Sequence, residues 1–305
     1  MVADLSSIES IGGAWLAGCD SVLQIFREGK DTYKTFAALA FDKPYEEVTK
    51  WERTFSKPCI LGSSYGMSGY GLKLYAESMG VEMEEEEAHR QVKLFRRTYH
   101  EITHCWYRLE DAAMQAVRTP NTWHAVQPVA IARPSSLGEY WEYIYKKRPV
   151  ASFMSDGTFL FCWTITGRYI TYYRPAIDDN HEFTFTDWET GEEKTVKKPA
   201  LSYMGIDQKA TGQAWRRITT RGAKLYENLC QFVCRDVLWN ALEQVEQDPG
   251  LEILGDVYDE TLCEADIGDA TALERLIGCM TARPDWADED LWLGADGYES
   301  KRYRK

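Results

Sequence analysis

Gly255-Asp256-Val257-Tyr258-Asp259-Glu260 places two adjacent acidic residues between two short runs with the composition of strands. The runs are Glu252–Tyr258 and Thr261–Ala265, and they are short enough to form the two arms of a hairpin. An acidic pair in such a place is by itself an ordinary polar turn. The segment therefore predicts a hairpin with carboxylates at its tip. By itself it does not indicate a function for those carboxylates.

That second segment lies near the other end of the chain, at Ala3-Asp4-Leu5-Ser6-Ser7-Ile8-Glu9. An apolar start is followed by an acid and then by a pattern typical of the beginning of a helix. Asp4 alone would most simply be a helix N-cap. If Asp4 instead met the acids of the hairpin, the like charges would repel, and one carboxyl would tend to hold a proton unless a cation were present.

A third segment carries basic and apolar side chains at intervals of four residues, namely Arg53, Lys57, Leu61 and Tyr65. Residues four apart share one face of a helix, so the two cations can point toward the same ligand. An ordinary solvated helix face is the simpler interpretation of the cations alone. Pro58 follows Lys57 directly and disfavours helix at the preceding residue, so this helix is expected to kink or to begin there.

Taken together and in this order, the three segments resemble motifs A, B and C of the family A DNA polymerases, the DNA polymerase I type, and especially its bacteriophage branch. Two more segments carry the resemblance. One is Tyr226-Glu227-Asn228-Leu229-Cys230-Gln231 with Arg235-Asp236, and the other is the C-terminal tail from Pro284 to Lys305. The resemblance is strong over residues 2–112 and 200–305 and weak between them. It implies a palm-and-fingers portion with an α+β fold.

The resemblance also implies a domain order. We expect palm at residues 1–19 (motif A), helical fingers at 20–118 (motif B), and palm again at 205–305 (motif C and the tail). Residues 119–204 are richer in proline, threonine and aromatic residues and are predicted to be an irregular β-rich insertion. Its predicted strands include Phe159–Trp163, Tyr169–Tyr173 and Phe183–Phe185, and a long helix is predicted from Thr219 to Val245.

The implied reaction is attack of a primer 3′-hydroxyl on the α-phosphorus of a deoxynucleotide. Two Mg²⁺ ions stabilise the attacking and leaving oxygens in such a displacement, and Mn²⁺ can substitute for them. Because Mg²⁺ prefers carboxylate and carbonyl oxygen, the implied ligands are Asp4, Asp259 and the backbone carbonyl of Leu5. Glu260 is the implied third acid. The two carboxylates must then lie together although they are separated by most of the chain.

The resemblance also implies the nucleotide contacts. Arg53 and Lys57 would hold the triphosphate, and Lys57 would protonate the leaving pyrophosphate. Leu61 and Tyr65 would flank the incoming base and sugar. Glu9 would crowd a ribose 2′-hydroxyl and so select deoxynucleotides.

Three further residues are expected to contact DNA. Gln231 matches a residue that reads the minor groove of the new base pair. Tyr258 replaces the histidine usual before the motif C acids, and its hydroxyl can still donate a hydrogen bond. Arg221 belongs to the basic cluster Arg216-Arg217-Arg221-Lys224. Another departure from the family pattern is Ile11, which stands where motif A usually has arginine.

Composition is consistent with a globular protein, with 44% hydrophobic and 13% aromatic residues among 305. The net charge of −13 argues against a non-specific nucleic-acid coat. No apolar run reaches the ~18 residues of a membrane span, no secretory signal is evident, and the eight cysteines include no C-x-x-C pair. We therefore expect a cytoplasmic protein with reduced thiols, and the resemblance implies that the cell is a phage-infected host.

The expected ligands are primer-template DNA and deoxynucleotides, without a membrane partner. No thumb or 3′–5′ exonuclease pattern is evident, which leaves an engineered fragment or a polymerase encoded as two polypeptides. The second is favoured, so a partner polypeptide carrying the thumb and exonuclease is also expected, as in a split polymerase. Two alternatives remain at this point. One is a fragment of a single-subunit RNA polymerase, against which Glu9 and the Asp259-Glu260 pair argue. The other is a non-catalytic DNA-binding subunit of a replication complex, which would have no need of the acids.

Overall fold

The computed structural model describes residues 1–127, 149–188, 190–207 and 214–303. The helices are α1 (Ile8–Ala17), α2 (Asp20–Arg27), α3 (Thr32–Ala40), α4 (Lys50–Ser64), α5 (Gly69–Ser78), α6 (Glu85–Thr98), α7 (His100–Arg118), α8 (Gly222–Glu246) and α9 (Ala272–Met280). The strands are β1 (Val2–Leu5), β2 (His124–Val126), β3 (Ala151–Ser155), β4 (Phe159–Thr164), β5 (Tyr169–Asp178), β6 (Glu182–Thr186), β7 (Glu193–Lys197), β8 (Ala200–Asp207), β9 (Ala214–Thr220), β10 (Glu252–Val257), β11 (Glu260–Glu264) and β12 (Ala295–Tyr298). Helices and antiparallel strands together make the predicted α+β fold.

The chain divides into two compact units. The terminal unit consists of Met1–Trp15 and Cys230–Lys305, and the central unit of Leu16–Leu229. Two parts of the sequence predictions lie outside the described residues, namely Arg304 with Lys305 of the tail and residues 128–148 of the insertion.

The terminal unit contains a four-stranded antiparallel sheet with the order β10-β11-β1-β12. Strand β1 lies inside this sheet, and its residues Val2, Ala3 and Leu5 are buried while Asp4 is exposed. Helix α9 covers the sheet with Leu276 and Met280, which are fully buried. Asp4 is therefore a strand residue and not a helix N-cap.

Local residue chemistry accounts for several of the helix ends in the central unit. Asp31 caps α3, because its carboxylate accepts the backbone N–H of Lys34 at 2.7 Å. Gly80 follows α5 with φ of +74°, a conformation that glycine adopts at little cost. The amphipathic stretch at 84–118 forms two helices, α6 and α7, which meet at Tyr99.

Pro58 does not begin a helix, which corrects one expectation. Helix α4 runs from Lys50 to Ser64 with Pro58 inside it and buried. A proline in a helix interior removes one backbone hydrogen bond. The helix persists because buried side chains on both sides of the proline, including Phe55, Cys59 and Ile60, attach it to the core.

The start of α4 also has a strong local signal, a capping box. The Thr49 hydroxyl accepts the backbone N–H of Glu52 at 3.3 Å, and the Glu52 carboxylate accepts the backbone N–H of Thr49 at 2.7 Å. A hydrogen bond from Lys43, together with the one from the Thr49 backbone, lowers the pKa of Glu52 to about 2. The box therefore keeps its charged form down to strongly acidic pH.

Replacing the capping threonine tests how much this box contributes. Thr49→Ala is expected to lower the free energy of unfolding by about 1 kcal/mol, because a backbone N–H loses its acceptor. Urea denaturation monitored by circular dichroism measures the change. Thr54→Ala on the same helix is the control. The exposed Thr54 hydroxyl donates to the Lys50 carbonyl of the same helix and caps no helix end, and alanine is the better helix former. Equal losses in the two variants would contradict the role of the box.

Residues 119–204, expected to be an irregular β-rich insertion, form regular antiparallel structure where they are described. Six strands pair in the order β2-β3-β4-β5-β8-β9, and β6 and β7 form a separate hairpin. The larger sheet continues beyond 204, since β9 ends at Thr220. One face of it is buried through Phe153, Leu160 and Tyr172, and α7 packs against this face.

All eight cysteines are free thiols, and seven are buried. Burial raises the pKa of Cys162 to about 12, so this thiol stays protonated. Within the described ranges, no helix combines the length and the apolar character that crossing a membrane requires.

Candidate active site

Three carboxylates lie in a row across the sheet of the terminal unit. Asp4 on β1 is the register partner of Glu260 on β11 and also of Asp296 on β12. Directly opposed residues of an antiparallel pair project from the same face, and like charges in such positions are destabilising. A row of three acids is therefore costly to the fold unless cations or hydrogen-bond donors compensate for it.

The backbone of Asp259 adjoins this row at the turn between β10 and β11. The Leu5 backbone N–H donates to the Asp259 carbonyl at 3.2 Å, which places the end of β1 against the hairpin tip. The sequence placed both acids of the pair in the turn, whereas the structure assigns Asp259 to the turn and Glu260 to the first position of β11. The two distant segments thus meet along a shared strand pair.

A pocket of about 630 Å³ opens beside the hairpin tip. One wall is a stripe on α8 formed by Gln231, Cys234, Arg235 and Leu238, whose spacing of three, four and seven residues puts them on one helix face. The remaining lining residues are Ile8, Glu9, Asp256, Tyr258 and Asp259. Four residues predicted for the site, namely Glu9, Gln231, Tyr258 and Asp259, thus line a single cavity.

Two thiols fix the first turn of α1 beside this pocket. Cys230 donates to the Glu9 carbonyl at 3.3 Å, and Cys234 donates to the Ile8 carbonyl at 3.4 Å. The hydrogen bond with Cys230, together with burial and the charges of Glu9 and Asp259, holds the pKa of Cys234 well above its usual value. The two hydrogen bonds indicate a positioning role, since they hold the backbone of Ile8 and Glu9 against α8.

Arg235 holds Asp256 at the pocket wall, with a distance of 2.8 Å between its Nη1 and the Asp256 carboxylate. This ion pair links α8 to β10. Both side chains are partly exposed, so the pair contributes little to stability and its main effect is to orient Asp256.

Two residues of the C-terminal tail reach the acids, and neither was singled out from the sequence. Asp296 accepts a hydrogen bond from the Ser6 hydroxyl at 3.2 Å, and the Tyr303 hydroxyl donates to Glu260 at 2.6 Å. The hydrogen bond to Glu260 raises the pKa of Tyr303 to about 12. The sequence signal that could have identified them is the resemblance of the C-terminal tail to the family. That resemblance assigned no function to any individual residue of the tail.

The remaining predicted residues lie in the central unit. Arg53 and Lys57 share one face of α4, because the guanidinium and the ammonium lie 5.4 and 5.9 Å from the centroid of the same Tyr33 ring. Arg53 also forms an ion pair with Asp31, at 2.6 Å from Nη2. Since the guanidinium has five N–H donors, Asp31 occupies only part of its binding capacity.

Leu61 and Tyr65 continue along α4 toward its C-terminal end, and the Tyr65 ring lies 6.2 Å from that of Tyr226. Arg221 donates to the Gly66 carbonyl at 3.0 Å, just beyond this helix end. Arg96 donates to the adjacent Met67 carbonyl at 3.2 Å. Cations suit the C-terminal end of a helix, so Arg221 has a structural function there in addition to the DNA contact expected from the sequence.

The acids of the terminal unit fit one particular mode of metal binding. Across residues 1–127, 149–188, 190–207 and 214–303, no three His, Cys, Asp or Glu side chains come together as a preformed metal site. Mg²⁺ at phosphoryl-transfer sites is usually held by one or two carboxylates, by water and by the substrate phosphates. Asp4, Asp259 and the Leu5 carbonyl are oxygen donors of the kind that this mode uses.

Tyr258 occupies a strained position at the hairpin tip, with φ of +60° and 84% of its side chain exposed. Non-glycine residues other than Asn and Asp seldom adopt this conformation. Tyr258→Asn is therefore expected to raise stability by up to about 1 kcal/mol. The same change is expected to weaken primer-template binding about tenfold, through loss of an exposed ring that can stack on a base.

Thermal denaturation and fluorescence anisotropy measure the two effects of Tyr258→Asn. Tyr258→Phe is the control, since it keeps both the ring and the backbone strain. If the asparagine variant bound DNA as tightly as the phenylalanine variant, the ring would have no part in DNA binding.

Comparison with known proteins agrees with this geometry. A family model described as DNA polymerase family A matches the segment that contains β1 and α4, over residues 1–124. Residues 1–124 are thus similar to DNA polymerase family A. The DNA polymerase of Bacillus phage SP02 is 27% identical to this chain over 305 residues, which cover 100% of the chain and 41% of that protein. DNA polymerase I of Aquifex aeolicus (strain VF5) is 37% identical over 89 residues, which cover 29% of the chain and 16% of that protein.

A similarity of fold extends beyond the matched segment. The POL domain of Pol1 from M. smegmatis, in a complex with DNA primer-template and dNTP, superposes with a TM-score of 0.56 and 20% identity. The match covers 97% of this chain and 38% of that one. The chain thus spans less than half the length of the relatives it matches.

Proposed function

We propose that this chain carries the catalytic site for template-directed DNA synthesis, in which deoxynucleotides are transferred to a primer 3′-hydroxyl. One observation carries the proposal. The carboxylates of Asp4, Glu260 and Asp296 form a row across three adjacent strands, and Asp259 lies beside it at the hairpin tip. Neighbouring carboxylates repel one another in the free protein, and divalent cations relieve that repulsion when they bind. A site that holds such cations together with phosphate therefore requires a cluster of acids.

In this proposal Asp4 and Asp259 hold two Mg²⁺ ions with the Leu5 carbonyl. The ions, when bound, neutralise the charge that develops on the attacking and leaving oxygens. Glu260, oriented by the Tyr303 hydroxyl, supports the ligand set through solvent. Asp296 contributes negative charge next to Asp4.

The cations of α4 are assigned to the triphosphate. Arg53 and Lys57 share a helix face, and Tyr33 beneath them limits where their long side chains can go. Lys57 donates a proton to the leaving pyrophosphate. Leu61 and Tyr65, further along the helix, contact the incoming base and sugar.

The pocket of the terminal unit is assigned to the sugar and to the new base pair. Glu9 lines this pocket, and the Cys230 thiol donates to its backbone carbonyl. In this proposal Glu9 crowds a ribose 2′-hydroxyl. Gln231 offers an amide that can donate to the minor-groove acceptors common to all correct pairs. Tyr258 and Arg221 contact the DNA.

A single-turnover assay tests the proposal, with the chain in excess over primer-template so that processivity is not required. We expect incorporation of one deoxynucleotide in Mg²⁺ or Mn²⁺ and none in EDTA. Faster incorporation of ribonucleotides would favour the RNA polymerase alternative. Binding of primer-template without any incorporation would favour a non-catalytic subunit.

The expected second polypeptide, with thumb and exonuclease, stays a prediction. Adding a candidate partner is expected to raise the number of nucleotides added per binding event without changing the single-turnover rate greatly.

A further inference from the structure

Seven aromatic rings form a continuous row on the large sheet of the central unit. The successive ring centroids are 4.9 to 6.2 Å apart. In spatial order the rings are Trp123, Trp163, Tyr169, Phe161, Phe159, Tyr173 and Trp215. We call this row and the strand surface around it the aromatic face.

The aromatic face is the opposite side of the sheet from the one that packs on α7. Along β4 the buried residues Leu160 and Cys162 alternate with the ring-bearing ones, as the pleat requires. The outward rings stay accessible, with 40% of Trp163, 49% of Tyr169 and 58% of Trp215 exposed. Apolar surface of this extent on a folded domain usually marks a binding site.

Two arginines add positive charge to this face. Arg217 pairs in register with Met204, and Met204 pairs with Tyr173, so all three project on the same side. The Arg174 guanidinium lies 5.4 Å from the centroid of the Tyr173 ring. Arg216 points to the other side, where it forms an ion pair with Asp207.

The other side chains between the rings are neutral, namely Ser152, Met154, Thr171, Met204 and Ile206. Two acids stand at strand ends. Asp156 accepts the backbone N–H groups of Thr158 and Phe159, both at 2.7 Å, and Asp178 accepts that of Asn180 at 3.1 Å. In a chain of net charge −13, a strip of rings with two arginines has a local charge suited to a polyanion.

We propose that the aromatic face binds single-stranded DNA, with unpaired bases stacked on the rings and phosphates near Arg174 and Arg217. Every base has a π-face, so stacking on exposed rings tolerates any sequence, as a template strand requires. Paired bases in a duplex keep their faces covered by their neighbours and cannot stack in this way. The choice of DNA rests on the proposed function, whereas the stacking surface itself does not.

The test uses the full chain and oligothymidylate in EDTA without nucleotides, so that no synthesis takes place. The double variant Trp163→Leu with Tyr169→Leu keeps apolar area but removes two stacking rings. We expect its affinity for oligothymidylate to fall about tenfold for each ring lost. The matched double variant with phenylalanine at both positions is expected to bind within about twofold of the native chain, because it keeps two π-faces.

Trp239→Leu is the control for general loss of a surface tryptophan, since Trp239 is 55% exposed on α8 and takes no part in the row. Equal binding by the leucine and phenylalanine variants would overturn the proposal, and so would equally tight binding of a duplex of the same length. Crosslinking of the aromatic face to a protein partner but not to DNA would also overturn the proposal. Circular dichroism of each variant verifies the fold.

Failure of this inference and failure of the proposed function give different results. Asp259→Asn is expected to keep oligothymidylate binding, since the aromatic face lies wholly within residues 123–217. If oligothymidylate binding depends on the rings but the native chain incorporates no nucleotide, the proposed function is refuted and the inference about the aromatic face is not. Incorporation together with ring-independent binding would refute only the aromatic face.

Discussion

Asp259→Asn is expected to reduce single-turnover nucleotide incorporation by about a thousandfold or more. A ligand of catalytic metal ions supports several kcal/mol of transition-state stabilisation, and each 1.36 kcal/mol corresponds to a factor of about ten in rate. Asparagine keeps the shape of the side chain but removes its negative charge. Rapid-quench measurement with saturating Mg²⁺ and deoxynucleotide gives the rate, and anisotropy gives the affinity for primer-template, which is expected to change little.

Asp266→Asn is the matched control for the charge change. Asp266 is exposed, belongs to the same unit, and lies in the loop that follows β11. The same substitution there is expected to leave the incorporation rate within about twofold of the native chain, because exposed charges away from the site contribute little. Comparable rates for the two variants would remove Asp259 from the catalytic site.

Gly222→Ala is expected to lower the free energy of unfolding by about 2–3 kcal/mol, through overpacking. A Cβ at this position would lie 2.0 Å from the Trp106 carbonyl oxygen and 3.2 Å from the Cβ of Glu110. The obstacle is mainly backbone, so a rotamer change cannot relieve it. Urea denaturation monitored by circular dichroism measures the loss.

Gly278→Ala provides the comparison, since Gly278 lies in α9 with no atom within 4 Å of a new Cβ. Alanine there is expected to be neutral or to stabilise the protein by about 0.5–1 kcal/mol, because glycine is a poor helix former. If both variants lost stability to the same extent, close contact with α7 would not be the reason that glycine occupies position 222.

Local sequence signals were sufficient where the controlling interaction is itself local. Asp31 caps α3 and Gly80 follows α5, as their side-chain chemistry and backbone freedom predict. Of the two expectations at Pro58, a kink or a helix start, the helix start was wrong. The missing hydrogen bond is a local cost, whereas the burial of Phe55 and Ile60 that offsets it depends on the whole central unit.

The candidate site shows the same division. Asp4, Asp259 and Glu260 were proposed as a set because their segments resemble a family, and no pattern within either segment shows that they meet. Register pairing places Asp296 beside Asp4, and the tail brings Tyr303 to Glu260. Contacts between residues more than 40 positions apart produce no periodic pattern in a single sequence. The sequence therefore did not predict the positions of Asp296 and Tyr303.

The aromatic face could not be anticipated from composition. The sequence shows that residues 159–173 are rich in aromatic residues and favour strands, and it leaves open which rings are buried. Tyr172 and Tyr173 are neighbours, yet Tyr172 is 4% exposed and packs inward while Tyr173 belongs to the row. The pleat separates them, and α7 determines which side becomes the core.

The sequence by itself determined the strand, helix and turn character of each motif and the identity of the acids, because these depend on residues within a few positions of one another. The tertiary structure alone decided that positions 4, 260 and 296 stand side by side, and that one face of a sheet keeps its rings in solvent. Strand register and the choice of buried face arise from pairing and packing between distant segments. Their free energy depends on the assembled unit and not on any short stretch of the chain.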